Sequence, residues 1–297
     1  MDLIYSLSEN THAKVLYDEP MKKHTSYGVG GNASCFVEAD SLYTLSEVVS
    51  FAKDNKIPFK VLGNGTNVLV SDRGYKVIII CLTKLNDVFF VRDEIRAMAG
   101  VNLSKLIKFA KDHRLSGLEA LSGIPATVGG AVVMNAGAFG HNISDKITSV
   151  ETLHNGKIKK YYREECNFCY RGSRFFGKKE VIVSANFKLK ESNREFILSG
   201  IKSFSELRTS IQPSGKSCGS VFKNPRPETA GRLIDKAGLK GYSIGGASIS
   251  NRHGNFITTA GKATASDVYE LITYVKKKIK DEFGIELKEE VEFVGEF

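Results

Sequence analysis

The chain has 297 residues, 42% of them hydrophobic and 25% charged, with a formal net charge of +9. Those proportions belong to a globular protein with room for two or three domains, and the longest apolar runs, such as 77–82, fall far short of a bilayer span. The basic excess fits anionic partners or merely solvated helix faces such as 274–280. No stretch interleaves aromatic and basic side chains as an RNA-binding sheet does, and phosphorylated small molecules fit better than nucleic acid because the Gly-rich loops point to phosphate.

The opening residues, MDLIYSLSENTHAKV, carry acids early and lack a basic-then-apolar leader, so a cytoplasmic protein is expected. Residues 1–20 read as a helical lead-in with a charged tail. Gly28, Gly30 and Ala33 have the spacing of a relaxed dinucleotide fingerprint, but a strand over 35–39 follows them where that motif needs a helix. An amphipathic helix is expected over 41–55, capped by Ser41, with Leu42, Leu45, Val48, Val49 and Ala52 on one face. Strands at 59–62 and 68–70 enclose Gly63-Asn64-Gly65-Thr66-Asn67. Asn-Gly suits a hairpin turn, yet the loop is longer than such a turn needs, which favours a phosphate cradle of backbone N–H groups.

Strands at 76–82, 87–92 and 94–99 come next, then a helix over 103–113 with Leu103, Leu106, Ile107 and Ala110 inward. Residues 117–140, GLEALSGIPATVGGAVVMNAGAFG, contain no Lys or Arg and a single acid, Glu119. Such small, neutral residues mark either a tightly packed turn or backbone approaching a ligand closely. A hairpin over 149–154 and 157–162 turns at Asn155-Gly156. A strand-like segment ends in Tyr170-Arg171, a strand covers 181–189, and KESNR at 190–194 reads as a linker.

A helix over 195–209 leads to Gly215-Lys216-Ser217, which resembles the end of a phosphate-binding loop but has Ser210 where the first glycine is required. Helices at 229–237 and 265–283, with short strands at 245–250 and 256–259, build a small α/β unit, and Val291 to Val294 end the chain. The five cysteines, 35, 81, 166, 169 and 218, are odd in number and irregular in spacing, which argues against a disulfide framework. Cys166 and Cys169 read as two ordinary thiols, since no second pair or His pair accompanies them.

Eight stretches point the same way: HTSYGVGG (24–31), LGNGTNVLVSD (62–72), SGIPATVGGAVVMNAGAFG (122–140), FCYRGSRF (168–175), GSVFKNP (219–225), AGRLIDKAGLKG (230–241), HGNFI (253–257) and EEVEFVG (289–295). In sequence and order the chain resembles the UDP-N-acetylenolpyruvoylglucosamine reductase family nearly end to end. The resemblance implies an α+β fold: an FAD-binding domain pair of the vanillyl-alcohol-oxidase (PCMH) type over 1–82 and 83–191, then a C-terminal α/β substrate-binding domain over 195–287. The last strand, 288–297, is expected to return to the first domain.

It also implies non-covalent FAD, NADPH as hydride donor, and UDP-N-acetylglucosamine enolpyruvate as substrate, with no metal, nucleic-acid or membrane partner. Arg171 matches the family residue that holds the substrate carboxylate as charge develops there, Ser220 the proton donor, and Glu290 the catalytic acid. A carboxyl beside a substrate carboxylate is favoured in its protonated form by like charge and can donate a hydrogen bond. The FAD contacts carry over to Tyr27, to Gly63, Asn64, Gly65, Thr66 and Asn67, and to Pro125, Ala126, Thr127, Gly129, Gly130, Asn135, Ala136 and Gly137, with N–H groups over 124–131 expected at the pyrophosphate. Arg208, Lys223 and Asn224, placed with the last third, are candidates for the substrate diphosphate and uridine. Between Arg171 and Arg208 there is no room for the Tyr-bearing insertion of part of the family, so the chain resembles the shorter subclass.

Overall fold

The computed structural model describes residues 3–178 and 180–297. The chain divides into two compact units. The first comprises the segment up to Tyr17, Cys35–Asn64 and Val77–Arg208; the second comprises Asp18–Ser34, Gly65–Lys76 and Thr209–Phe297.

The opening stretch is helical only over Leu3–Ser6 and Leu7–Asn10; Lys14–Pro20 is a strand. Residues 1 and 2 of the expected lead-in lie outside the described residues. Val15 and Tyr17, two apart, pack on the first core, and that period of two, ended by a proline, suits the end position the strand takes in a four-stranded sheet. The other strands of this sheet are, in order, Asn32–Glu38, Tyr75–Cys81 and Phe59–Leu62. Helix Leu42–Asp54 starts as expected, with the Ser41 hydroxyl accepting the Thr44 N–H at 3.0 Å, and buries Leu45, Val48, Val49 and Ala52.

The second sheet of this unit is antiparallel, ordered Lys157–Tyr162, Ile147–His154, Val181–Phe187, Glu94–Met98 and Val88–Val91. The expected hairpin over 149–162 is present, strands Val88–Val91 and Glu94–Met98 also pair antiparallel, and the turn at Asn155-Gly156 has positive φ at both residues, as a type I′ turn requires. Val181–Phe187 is the central strand and is buried at every position. Helix Leu103–Asp112 buries the four expected residues. The 190–194 segment is not a free linker: Lys190 and Glu191 pair with Ser116 and Leu115, and helix Arg194–Ile211 begins directly after. The chain leaves this unit after Arg208.

The second unit has its own core, in which Tyr27, Val29 and Leu69 join Val221, Phe222 and Leu233. Its longest helix, Ala265–Phe283, buries Val268, Leu271, Ile272, Val275 and Ile279 at helical spacing. Thr264 and Asp267 form a capping box at its start, Asp72 accepts the N–H groups of Ala265 and Ser266 at 2.9 and 2.8 Å, and Gly284 closes its end at φ +69. A three-stranded sheet, Ser243–Ile244, Ala247–Ile249 and Ile257–Thr259, lies in the same unit. Strand Val68–Val70 pairs in parallel with Glu292–Val294, whereas Phe59–Leu62 pairs with Tyr75–Cys81. Residues 63–67 therefore connect strands with different partners and are not a hairpin turn. Among the described residues, no helix is long and apolar enough to cross a membrane.

Candidate active site

In the first unit the glycine loop and the Gly/Ala stretch meet through bare backbone. A Cβ on Gly63 would fall 2.3 Å from Thr127 Oγ1. Asn64 Nδ2 donates to Asn102 Oδ1 at 2.6 Å and to the Pro125 carbonyl, beside Ala126, at 3.0 Å. Thr127 caps helix Val128–Val133, accepting the Gly130 N–H at 3.3 Å.

The expected row of available N–H groups over 124–131 is largely spent inside the protein. Ile124 N–H bonds Leu121, Val128 bonds Val101 at 2.8 Å, Gly129 bonds Ala99 at 2.8 Å, and Ala131 bonds Thr127. The helix start is docked on residues 99–101, and Gly129 is small because a Cβ there would sit 3.0 Å from that of Ala99.

The same stretch builds the seat of Arg171. Asn135, 5% exposed, donates from Nδ2 to the Cys169 carbonyl at 3.0 Å and accepts the Ser144 N–H at Oδ1. Ala136 accepts the Ile143 N–H, and a Cβ on Gly137 would strike Asn142 Oδ1 at 2.4 Å. Cys169 and Gly172 close a tight turn through two backbone bonds, so Tyr170-Arg171 is the corner of that turn and not the end of a strand. Arg171 has φ +52, its Nη2 donates to the Gly137 carbonyl at 3.2 Å, and its guanidinium lies 5.3 Å from the Tyr170 ring centre. Cys166 is buried and Cys169 exposed; burial pushes the Cys166 thiol up to about 11. Arg208 groups with this unit instead of the last third. Its Nε donates to the Ser122 carbonyl at 2.9 Å, its guanidinium lies over Phe139, and burial lowers its pKa.

In the second unit Ser220 and Glu290 flank one peptide. Ser220 bridges Phe256, and the next carbonyl, Val221, accepts the Glu290 N–H at 2.7 Å. Asn67 Nδ2 donates to the Glu290 carbonyl at 3.0 Å, and the Asn67 carbonyl accepts the Glu292 N–H at 2.9 Å. Glu289 is held by Lys276 Nζ at 2.5 Å. Gly65 cannot carry a side chain, since a Cβ would lie 1.9 Å from the His24 carbonyl; Thr66 follows it in the same turn. Lys223 N–H bonds the Lys288 carbonyl, and Asn224 Oδ1 accepts the Ala230 N–H at 3.0 Å at the start of helix Ala230–Lys236. Sequence reasoning passed over Asn255 and Asp72, although both sit in stretches that carry the resemblance. Asn255 holds the Phe222 main chain on both its N–H and its carbonyl.

Residues 212–294 match the family model of the C-terminal domain of UDP-N-acetylenolpyruvoylglucosamine reductase, and residues 33–160 match that of an FAD binding domain. The reductase of that name from Caldanaerobacter subterraneus subsp. tengcongensis is 42% identical over 285 residues, covering 95% of this chain and 94% of its own. That of Carboxydothermus hydrogenoformans is 41% identical over 293 residues, covering 98% and 97%. The chain belongs to the UDP-N-acetylenolpyruvoylglucosamine reductase family.

The crystal structure of the reductase from Thermus caldophilus aligns with a TM-score of 0.82 at 36% identity, covering 95% of this chain and 99% of that one. A berberine bridge enzyme variant aligns with a TM-score of 0.52 at 16% identity over 65% of this chain and 44% of its own, which shows a shared fold. As a member of the reductase family the chain is an FAD-containing oxidoreductase. The residues present fit that cofactor. Gly130 is exposed and a Cβ there would meet only Thr127 Oγ1, at 3.5 Å, so its bare backbone is open where packing does not demand a glycine. The Tyr27 hydroxyl is buried with no hydrogen-bond partner among the described residues, and burial, then the nearby Cys218, push its pKa well up.

Proposed function

We propose that this chain reduces the enolpyruvyl group of UDP-N-acetylglucosamine enolpyruvate to give UDP-N-acetylmuramate, a step in peptidoglycan precursor synthesis, with Arg171, Ser220 and Glu290 acting on the substrate. Bound FAD, recharged by NADPH, supplies the hydride that the β-carbon accepts. Negative charge then develops at the substrate α-carbon and carboxylate. The planar fork of Arg171 suits the carboxylate, and one such preorganised donor is typically worth about 3–4 kcal/mol. The Ser220 hydroxyl gives its proton to the α-carbon, and protonated Glu290 donates a hydrogen bond to the charged group.

The observation that carries this assignment of roles is the Glu290 N–H bond to the Val221 carbonyl, which fixes the backbone of the acid one residue from that of the proton donor. In the same reading the loops 63–67 and 125–137 and Tyr27 hold FAD, residues 1–82 and 83–191 share it, and 195–287 receive the substrate with Lys223, Asn224 and Arg208 at its diphosphate and uridine. The protein works in the cytoplasm, and its basic charge serves nucleotide ligands instead of nucleic acid.

The test is anaerobic. NADPH should bleach the flavin band, and the enolpyruvyl nucleotide sugar should restore it. Ser220→Ala should be reduced by NADPH at the parent rate but reoxidised by substrate about 10²- to 10⁴-fold more slowly. Reduced parent enzyme that ignores the substrate would defeat the reading; equal loss of both half-reactions in Ser220→Ala would defeat the proton-donor role.

A further inference from the structure

Within the second unit, Phe222 lies in the segment that carries Ser220 and pairs with the segment that carries Glu290. Its neighbours bond one segment: Val221 accepts at its carbonyl from Glu290, and the Lys223 N–H donates to Lys288. The peptide groups of Phe222 itself bond a single side chain. Its N–H donates to Asn255 Oδ1 at 2.9 Å, and its carbonyl accepts from Asn255 Nδ2 at 2.8 Å. The Asn255 main-chain carbonyl in turn accepts the Val221 N–H at 2.9 Å, and Ser220 is bridged to Phe256, the residue after Asn255. Asn255 is 3% exposed, so these bonds are shielded from water.

The residue is itself held. Its N–H donates to His253 Nδ1 at 3.2 Å, and burial, then the charge of Lys240, lower the His253 pKa and keep that nitrogen an acceptor. One carboxamide thus supplies the pairing of Phe222 on the edge of 221–223 opposite the one that carries Glu290. A carboxamide carries its acceptor and its donor on separate atoms, so it can serve one N–H and one carbonyl at once.

We infer that Asn255 is a positioning residue for the reduction: it fixes the separation of Ser220 from Glu290, and through that the timing of proton delivery. The inference rests on the proposed roles of those two residues. Reduction of the flavin by NADPH requires neither of them, whereas protonation of the α-carbon requires both in place, and small misplacements of reacting groups cost about 100-fold.

The test uses the FAD-loaded full-length enzyme in anaerobic stopped flow with Asn255→Asp, which keeps the acceptor and loses the donor, and Asn255→Ser, whose shorter side chain puts a single oxygen in place of the separate acceptor and donor atoms. FAD affinity and the NADPH reduction rate should match the parent. Reoxidation by the enolpyruvyl nucleotide sugar should slow about 10- to 100-fold, with a larger solvent deuterium isotope effect than the parent's, because proton delivery becomes rate-limiting. Both half-reactions falling together, reoxidation at the parent rate, an unchanged isotope effect, or failure of both variants to load FAD would each overturn the inference. If reduced parent enzyme is not reoxidised by that substrate, the functional reading fails first and the inference falls with it.

Discussion

Glu289 and Glu290 are adjacent carboxylates with different surroundings. The Glu289 carboxylate lies against Lys276, with both side chains part-exposed, at 26% and 40%. A pair so open to water contributes about 0–1 kcal/mol. The Glu290 main chain is fixed on both sides, by Val221 and by Asn67. The two substitutions should therefore separate. Glu289→Gln should change the urea midpoint by no more than about 1 kcal/mol equivalent and leave turnover near the parent's. Glu290→Gln should fold normally and lose about 10²- to 10⁴-fold in turnover. A reversed order in steady-state assays would reassign the acid to Glu289. Choosing between the two from sequence needed the resemblance, since the letters are identical; the Lys276 contact gives Glu289 a partner of its own, which supports Glu290 as the proposed acid.

Helix Ala265–Phe283 shows what an element's ends can store. Burial tends to raise the Asp267 pKa, but hydrogen bonds from the N–H groups of Gly246 and Thr264 and from the Thr264 side chain outweigh it, leaving the carboxyl below its ordinary 3.8. A folded value lower than the unfolded one adds stability that is complete above the unfolded value and is lost as pH falls through the folded one. Asp267→Ala should cost about 1–2 kcal/mol at neutral pH, and urea melts should show the gap to the parent narrowing as the pH drops below 4. A gap constant with pH would mean that the charge is irrelevant to the cap.

This helix, helix Leu42–Asp54 and the hairpin at Asn155-Gly156 are legible in sequence because their determinants are local: caps, apolar spacing and Asn-Gly. Strand Lys14–Pro20 is not, because its place in a sheet is set by residues distant in sequence. Nor is the left-handed conformation of Arg171, whose guanidinium is bonded to the Gly137 carbonyl, or the loss of N–H groups at Val128 and Gly129 to carbonyls some thirty residues earlier. For the proposed site, motif letters point to Arg171, Ser220 and Glu290. They conceal that Asn135, Gly137 and Asn224 also have structural work, and that Asn255 resembles an ordinary turn residue until its two bonds to Phe222 are seen.

At the scale of the whole molecule, the second unit is assembled from three stretches of chain. The family model of the C-terminal domain spans 212–294, yet the core of that unit includes Tyr27, Val29 and Leu69, which are 1%, 5% and 0% exposed. Strand Glu292–Val294 has its parallel partner in Val68–Val70, the Thr259 hydroxyl donates to the Tyr27 carbonyl at 2.5 Å, and the long helix takes its second cap from Asp72. Burying those three side chains is worth about 5–9 kcal/mol together, which is comparable with the net stability of about 5–15 kcal/mol of a typical domain. A fragment of residues 209–297 should therefore fail to fold by itself. Its urea titration should lack a cooperative transition and its amide resonances should be narrowly dispersed, whereas the full chain should give a cooperative transition. A cooperative melt of the isolated fragment would show that the C-terminal residues suffice for this core, and that the N-terminal stretches only decorate it.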